Sequence, residues 1–294
     1  MANQMVTMII DYVMNGIVIG SGYALIAIGL TMIFGLMGIV NFAHGEFYMI
    51  GGFVAYYLVQ LLGLNFFLSL VIAIAIVMAL GLVFDKVIFA PLQGKPIITT
   101  ALVTIGLSIF LQNMTLYLFG ATPKTIPSPF PRMPLKIGSL FITQERVFAT
   151  VLTFAIIIGM HLFLKKTKAG KALRATFQVK EAAALVGINI SRVYALTFAA
   201  GVGLSATAGA LLGSIFYITP TIGGNATLKA FIVVILGGMG SFPGAIVGGL
   251  TLGIAESLGA GFISSAYKDA IGFVIVVILL LFRPQGLFGT LIGK

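Results

Sequence analysis

Reactive side chains are scarce in this chain, and their scarcity narrows what it can do. It holds seven acids, two histidines and no cysteine among 294 residues. Without cysteine there is no disulfide, no thiol nucleophile and no thiolate metal site. His44 and His161 lie in different regions and the acids are scattered, so no catalytic set is visible. No GxxxxGK[ST] phosphate loop is present, so ATP cannot be bound by that device. The expectation is a protein that is not an enzyme and carries no cofactor or metal. Uphill work would then need a partner subunit or an ion gradient.

Two polar places remain. The first is Asn41-Phe42-Ala43-His44-Gly45-Glu46. Gly35, Gly38 and Gly45 loosen the backbone there, and Asn41 can cap the helix that follows. Glu46 is an ionisable group near a membrane boundary, and such groups face protein or a water-filled cavity. The structural reading is that His44 and Glu46 satisfy freed backbone donors and each other; the functional one is that they border a solute path. Gln112 and Asn113 are either pore-lining amides or, the favoured reading, interhelical hydrogen bonds. A Gly/Pro break at Gly237–Gly244, with Gly240 at its centre, gives the second half an interruption of its own. Paired interruptions of this kind mark transport routes. Glu256 reads as an outer-interface residue.

The second place is a basic island, residues 165–192, with seven of the seventeen basic residues and one acid, Glu181. Val179 to Val186 reads as a short helix ended by Gly187. Ala182, Ala183 and Ala184 make its surface small, and Glu181 suits its first turn. Either the island is an ordinary loop whose lysines serve topology, or it is a docking helix for a soluble partner.

The elements that position these residues are apolar. Hydrophobic residues make up 60% of the chain and charged residues 8%, where a soluble domain is about 25% charged. Spans of about 20 residues are expected in such a chain. They are predicted at 17–38, 44–62, 66–84, 97–119, 147–164, 193–217 and 270–282, with shorter pieces at 230–238 and 244–259. Residues 3–16 are expected as a separate surface helix, because Asp11 makes a full span unattractive. The fold class is therefore all-α: a polytopic membrane bundle of about 8–9 spans or half-spans, one transmembrane domain over 1–294. The first 85 residues lack Lys and Arg, so a signal peptide is not expected. The net charge of +10 sits in short loops, so lipid is the expected surrounding and nucleic acid is not a partner. Loop charge sets orientation. Lys86, Lys95, the island, Arg283 and Lys294 fall inside; Lys124, Arg132, Lys136, Arg146, Lys229 and Lys268 fall outside. This puts the N-terminus outside, the C-terminus inside, and the proline-rich loop 120–146 outside. Glycines spaced by four, such as Gly16/Gly20 and Gly249/Gly253, predict close helix packing in a bundle or a dimer seam.

The string Glu181-Ala182-Ala183-Ala184-Leu185-Val186-Gly187 resembles E-A-A-x-x-x-G, the core of the loop by which ABC-importer permeases contact their ATPases. The further I-x-L-P of that loop is absent; Thr197-Phe198-Ala199-Ala200 stands in its place. Gly22-Tyr23-Ala24-Leu25-Ile26-Ala27-Ile28-Gly29, Val40–Glu46, and Arg283-Pro284-Gln285-Gly286-Leu287-Phe288-Gly289 are similar to permeases of branched-chain amino-acid ABC importers of the LivH type. The resemblance implies a bacterial inner-membrane permease with the architecture of ribose and vitamin-B12 importers. It implies a LivM-type second permease, two ATPase subunits that use the ATP, and a periplasmic amino-acid-binding protein. Coupling would run through 176–189, with Lys180, Glu181, Ala182, Ala183, Ala184 and Gly187 at the contact. Asn41, His44, Glu46, Gln112, Asn113 and Gly240 are the candidates for the path or its scaffold. A urea or short-chain-amide permease shares much of this pattern, and a self-sufficient channel or ion-coupled carrier is the rival from another class.

Overall fold

The computed structural model describes residues 2–130, 134–137 and 140–289. Arg132 and Lys294, two of the charges used for orientation, lie outside them. Helices dominate: α1 (Ala2–Met37), α2 (His44–Gln60), α3 (Phe66–Phe84), α4 (Ala90–Leu92), α5 (Ile97–Phe119), α6 (Gln144–Lys166), α7 (Lys168–Gln178), α8 (Lys180–Leu185), α9 (Ile190–Ile215), α10 (Ile222–Gly237), α11 (Phe242–Phe262) and α12 (Lys268–Phe282). A π-helical turn, Asp85–Phe89, joins α3 to α4. Among the described residues, seven helical stretches are long and apolar enough to cross a membrane. With the shorter α2 and α10 they give the all-α polytopic bundle expected.

Helices α1 and α9 are the buried centre, and α6 and α12 present most of their surface outward. Glycine allows the tightest crossing. A Cβ on Gly253 of α11 would lie 2.4 Å from Gly20 Cα, and one on Gly16 would lie 2.5 Å from Ile254 Cα. Two small-residue faces therefore meet inside one chain, so these glycines build the bundle. Around them an aliphatic core forms from α1, α9, α10 and α11. A second core is aromatic: the Phe198 ring packs 4.3 Å from Phe89 and 5.9 Å from Phe47.

Three helices and one charge differ from expectation; α11, expected as a shorter piece at 244–259, is a full-length helix of 21 residues. Residues 3–16 and 17–38 form one helix, α1, because nothing in the stretch breaks it and Asp11 is only partly buried. The short piece at 230–238 is the end of α10, which starts eight residues earlier. Lys229, read as a loop charge, is buried in that helix. It pairs with Glu256 on α11 and, at 2.9 Å, with Asp269 on α12. Tyr23 donates to the other oxygen of Glu256 at 3.0 Å, so buried Glu256 ties three helices together and Lys229 adds α12 through Asp269.

The loop after α5 is extended, as its prolines suggest. It pairs with the end of α9 and the chain that follows, Lys124 N–H donating to Ile218 O at 3.0 Å and Ile126 N–H to Gly213 O at 2.9 Å. It then forms a hairpin of β1 (Pro134–Ile137) and β2 (Leu140–Thr143), registered Leu135 to Ile142. The Arg283–Gly289 motif folds beneath α10. Leu287 and Phe288 N–H groups donate to Leu236 and Gly237 carbonyls at 2.9 and 3.0 Å, satisfying the carbonyls left open at that helix end.

Packing of this kind has a testable asymmetry. Gly253→Leu must force α1 and α11 apart and is expected to cost about 3 kcal/mol. At Gly159 of α6 a Cβ meets nothing within 4 Å, so Gly159→Ala is expected to leave stability unchanged or raised by up to about 1 kcal/mol. Thermal unfolding in mild detergent reads both; equal losses would refute the seam.

Candidate functional site

Both short helices begin inside the bundle. His44, the first residue of α2, donates from Nε2 to the Ile26 carbonyl of α1 at 3.0 Å. Ile26 lies eleven residues before the end of α1, about 16 Å along its axis. The chain from Ile39 to Ala43 therefore returns into the bundle outside both helices. The first turn of α10 comes to the same place: a Cβ on Gly45 would lie 2.1 Å from Gly223 O and 2.5 Å from Thr227 N. Two helix N-termini, each with unpaired donors and a positive dipole end, thus share one interior point.

Backbone groups at this joint are met by named partners. Thr104 of α5 accepts from Phe42 N–H and donates to Val40 O, both at 3.2 Å. Asn41 Oδ1 accepts from Ala43 N–H at 3.0 Å, and Asn41 O from His44 N–H at 3.3 Å. Gly45 N–H donates to Thr227 Oγ1 at 2.8 Å. Glu46 N–H reaches Ala43 O at 3.1 Å, and Ser205 on α9 donates to His44 O at 3.3 Å. Asn41 thus closes a turn before the helix; the N-cap position falls on Ala43, which supplies no side-chain bond.

Glu46 is the acidic residue of the joint. Its Oε1 accepts from Ser108 Oγ at 2.8 Å and Gln112 Nε2 at 2.7 Å, both on α5. Its Oε2 is buried without a hydrogen-bond partner among the described residues and lies against Gly223, where a Cβ would come within 2.1 Å. The carboxylate therefore sits in the first turn of α2 and against the first turn of α10, where anionic groups are favoured. His44 does not pair with it; each finds its own partner on another helix.

Beside the joint is an open cleft of about 340 Å³ between α5 and α10, lined by Phe42, Ser108, Ile109, Gln112, Asn225 and Thr227. A solute there meets hydroxyls, amides and apolar walls. Glu46 lies behind Ser108 and Gln112. Asn225 also borders a second cavity of about 290 Å³, with Tyr23, Tyr48 and Lys229, on the other side of α10. No group of three His, Asp or Glu residues able to hold a metal occurs among the described residues.

The expected residues fall into separate places. Asn41, His44, Glu46 and Gln112 come together at the joint. Asn113 does not join them: it bonds its own helix, Nδ2 to Ile109 O at 2.8 Å, and faces outward. Gly240 lies in the turn between α10 and α11, with φ +85°. Lys180, Glu181, Ala182, Ala183, Ala184 and Gly187 lie on α8 and its end. That end has two C-cap bonds, Ile188 N–H to Ala183 O at 3.1 Å and Gly187 N–H to Ala184 O at 3.0 Å. Gly187 takes φ +85° to allow them. Ala183 is buried against the bundle, whereas Ala182, Ala184, Leu185 and Val186 are exposed. Sequence reasoning missed Thr104, Ser108 and Thr227. The first two had a signal: Thr104, Ser108 and Gln112 recur every four residues, a polar stripe on an apolar helix.

Comparison with known proteins agrees with this architecture. A family model described as branched-chain amino acid transport system, permease component, matches residues 12–281. The permease protein BraD of the high-affinity branched-chain amino acid transport system of Pseudomonas aeruginosa is 38% identical over 293 residues, covering 95% of each chain. The corresponding LivH of Escherichia coli K12 is 39% identical, covering 94% of each. In structure, PsaBC from Streptococcus pneumoniae, solved in complex with Fab, aligns with TM-score 0.50 at 15% identity over 93% of this chain and 92% of that one; the likeness concerns the fold.

If Glu46 holds the joint, its substitutions separate by hydrogen bonding. Glu46→Gln keeps an acceptor for Ser108 and Gln112 and is expected to assemble and retain substantial transport. Glu46→Leu strands both donors and is expected to lose about 1–3 kcal/mol, seen as a lower unfolding midpoint and poorer yield. A Gln variant that assembles normally yet moves no solute would place Glu46 in the solute path instead.

Proposed function

The chain belongs to the branched-chain amino acid transport permease family, and we propose that it is the LivH-type subunit of an ATP-driven importer for such amino acids. It is a multi-pass membrane protein; the finer placement proposed is the bacterial inner membrane, N-terminus outside and C-terminus inside. A second permease of the LivM type completes the path, two ATPase subunits bind the island formed by α7 and α8, and a periplasmic binding protein delivers solute. The chain uses no cofactor of its own.

The observation that carries this reading is α8. It is a helix of six residues at the end of a basic arm, closed by its own C-cap. Its apolar residues Leu185 and Val186 are 89% and 77% exposed. Exposed apolar side chains at the end of a basic arm suit the groove of a soluble partner. The cleft beside Glu46 supports the transport half. Its few polar groups are neutral, which suits an aliphatic amino acid that must be held briefly and released. Selectivity then resides in the binding protein. ATP binding closes the two ATPases, α8 moves with them, and the bundle shifts between outward- and inward-open arrangements.

A single thiol tests docking and orientation together, since the chain has no cysteine. Leu185→Cys is expected to react with an impermeant maleimide in inside-out vesicles and not in intact spheroplasts. Added ATPase subunits should protect it, and the label should abolish ATP-dependent leucine uptake. Labelling from outside, or no protection by the ATPases, would refute the docking role.

A further inference from the structure

The arm of α7 and α8 touches the bundle through a small number of side chains. Ala172 and Leu173 seat the middle of α7 against the cores, and Lys180 Nζ lies 5.4 Å above the Tyr194 ring of α9. Phe177, in the last turn of α7, does something different. Its ring meets two glycines on two other elements. A Cβ on Gly35, near the end of α1, would lie 2.5 Å from Phe177 Cε2 and 3.2 Å from Gly240 Cα. A Cβ on Gly240, in the turn between α10 and α11, would lie 3.1 Å from Phe177 Cζ. The ring therefore bears on two backbones where they touch each other, with no intervening side chain to absorb a displacement.

Burial alone does not account for this ring, because it is still 45% exposed. Both elements it touches lead to the interior joint. From Gly240, α10 leads to Gly223 and Thr227, which contact Glu46 and Gly45. From Gly35, α1 leads to the Ile26 carbonyl that holds His44. Close-packed contacts transmit strain, and packed side chains joined to helices are the kind of network that carries coupling between distant sites.

We infer that Phe177 is the positioning residue that passes movement of α8 into the membrane, through Gly240 to α10 and through Gly35 to α1. It acts on the solute path only through these elements. The inference rests on the proposed coupling role of α8.

The test uses the assembled transporter in proteoliposomes, with its second permease, ATPases and binding protein, and reads ATP hydrolysis and leucine uptake side by side. Phe177→Ala is expected to keep at least half of the hydrolysis and to lose uptake tenfold or more. Phe177→Leu, which restores bulk against the two glycines, is expected to recover most of the uptake. A merely structural ring would lower hydrolysis and uptake together, and that result overturns the inference, as does wild-type uptake by Phe177→Ala. If Phe177→Ala fails to assemble, Phe177→Val is read in the same way. A wild-type complex without ATP-driven uptake would overturn the proposed function instead, which keeps the two failures distinct.

Discussion

An interrupted helix inside a membrane bundle must have its open backbone groups met by the protein, because hydrocarbon offers no partner. The rest of this structure depends on that constraint at one place, where α2 and α10 both begin. Each brings unpaired N–H groups and a positive dipole end to the same interior point. Thr104, Asn41, Thr227 and Ser205 meet the backbone, and the Glu46 carboxylate meets the dipoles. Ser108 and Gln112 of α5 then fix the carboxylate. Glu46 is thus a third member of the joint: one side chain links the first turns of two half-helices to the stripe on α5 that borders the open cleft.

Glycine and a buried ion pair hold the surroundings of the joint. The crossing of α1 and α11 needs backbones close enough for Gly20 and Gly253 to touch, and that contact works by dispersion without a hydrophobic driving force. Lys229, Glu256, Asp269 and Tyr23 join α10 to α11, α12 and α1. A charge in this setting is costly unless paired, so α10 has its position fixed at its start by Glu46, midway by Lys229 and at its end by the Leu287 and Phe288 amides. An element held at three levels moves as a unit. That is the property the proposed coupling through α10 needs.

Much of the fold was legible because lipid imposes a simple rule on sequence. Long apolar runs gave α3, α5, α6 and α9 to within a few residues, and Gly187 marked the end of α8 because only a left-handed residue closes that turn. Other features depend on partners far along the chain. Lys229 reads as a loop residue until Glu256 is placed beside it, which is why α10 looked too short. Asp11 looks like a barrier to a span, yet it lies in the uninterrupted α1. His44 and Glu46 invite pairing at two residues' separation, but in a helical turn they point to different neighbours, Ile26 and Gln112. Ala183 seems a docking surface in an Ala-rich string, whereas helical geometry turns it inward and presents Leu185. Gln112 was read as an interhelical bond and is one. Its companions Thr104 and Ser108 were visible only as a four-residue period.

The account stands on the bond between Glu46 and α5, and a double-mutant cycle measures it. Glu46→Leu, Gln112→Leu and the double variant would be compared by reversible unfolding in mild detergent. Each single change already removes the bond between them, so the double variant is predicted to lose less than the sum of the singles, by about 1–2 kcal/mol. Additive losses, within about 0.5 kcal/mol, would show that the two residues stabilise the protein independently and would contradict the joint as its organising contact.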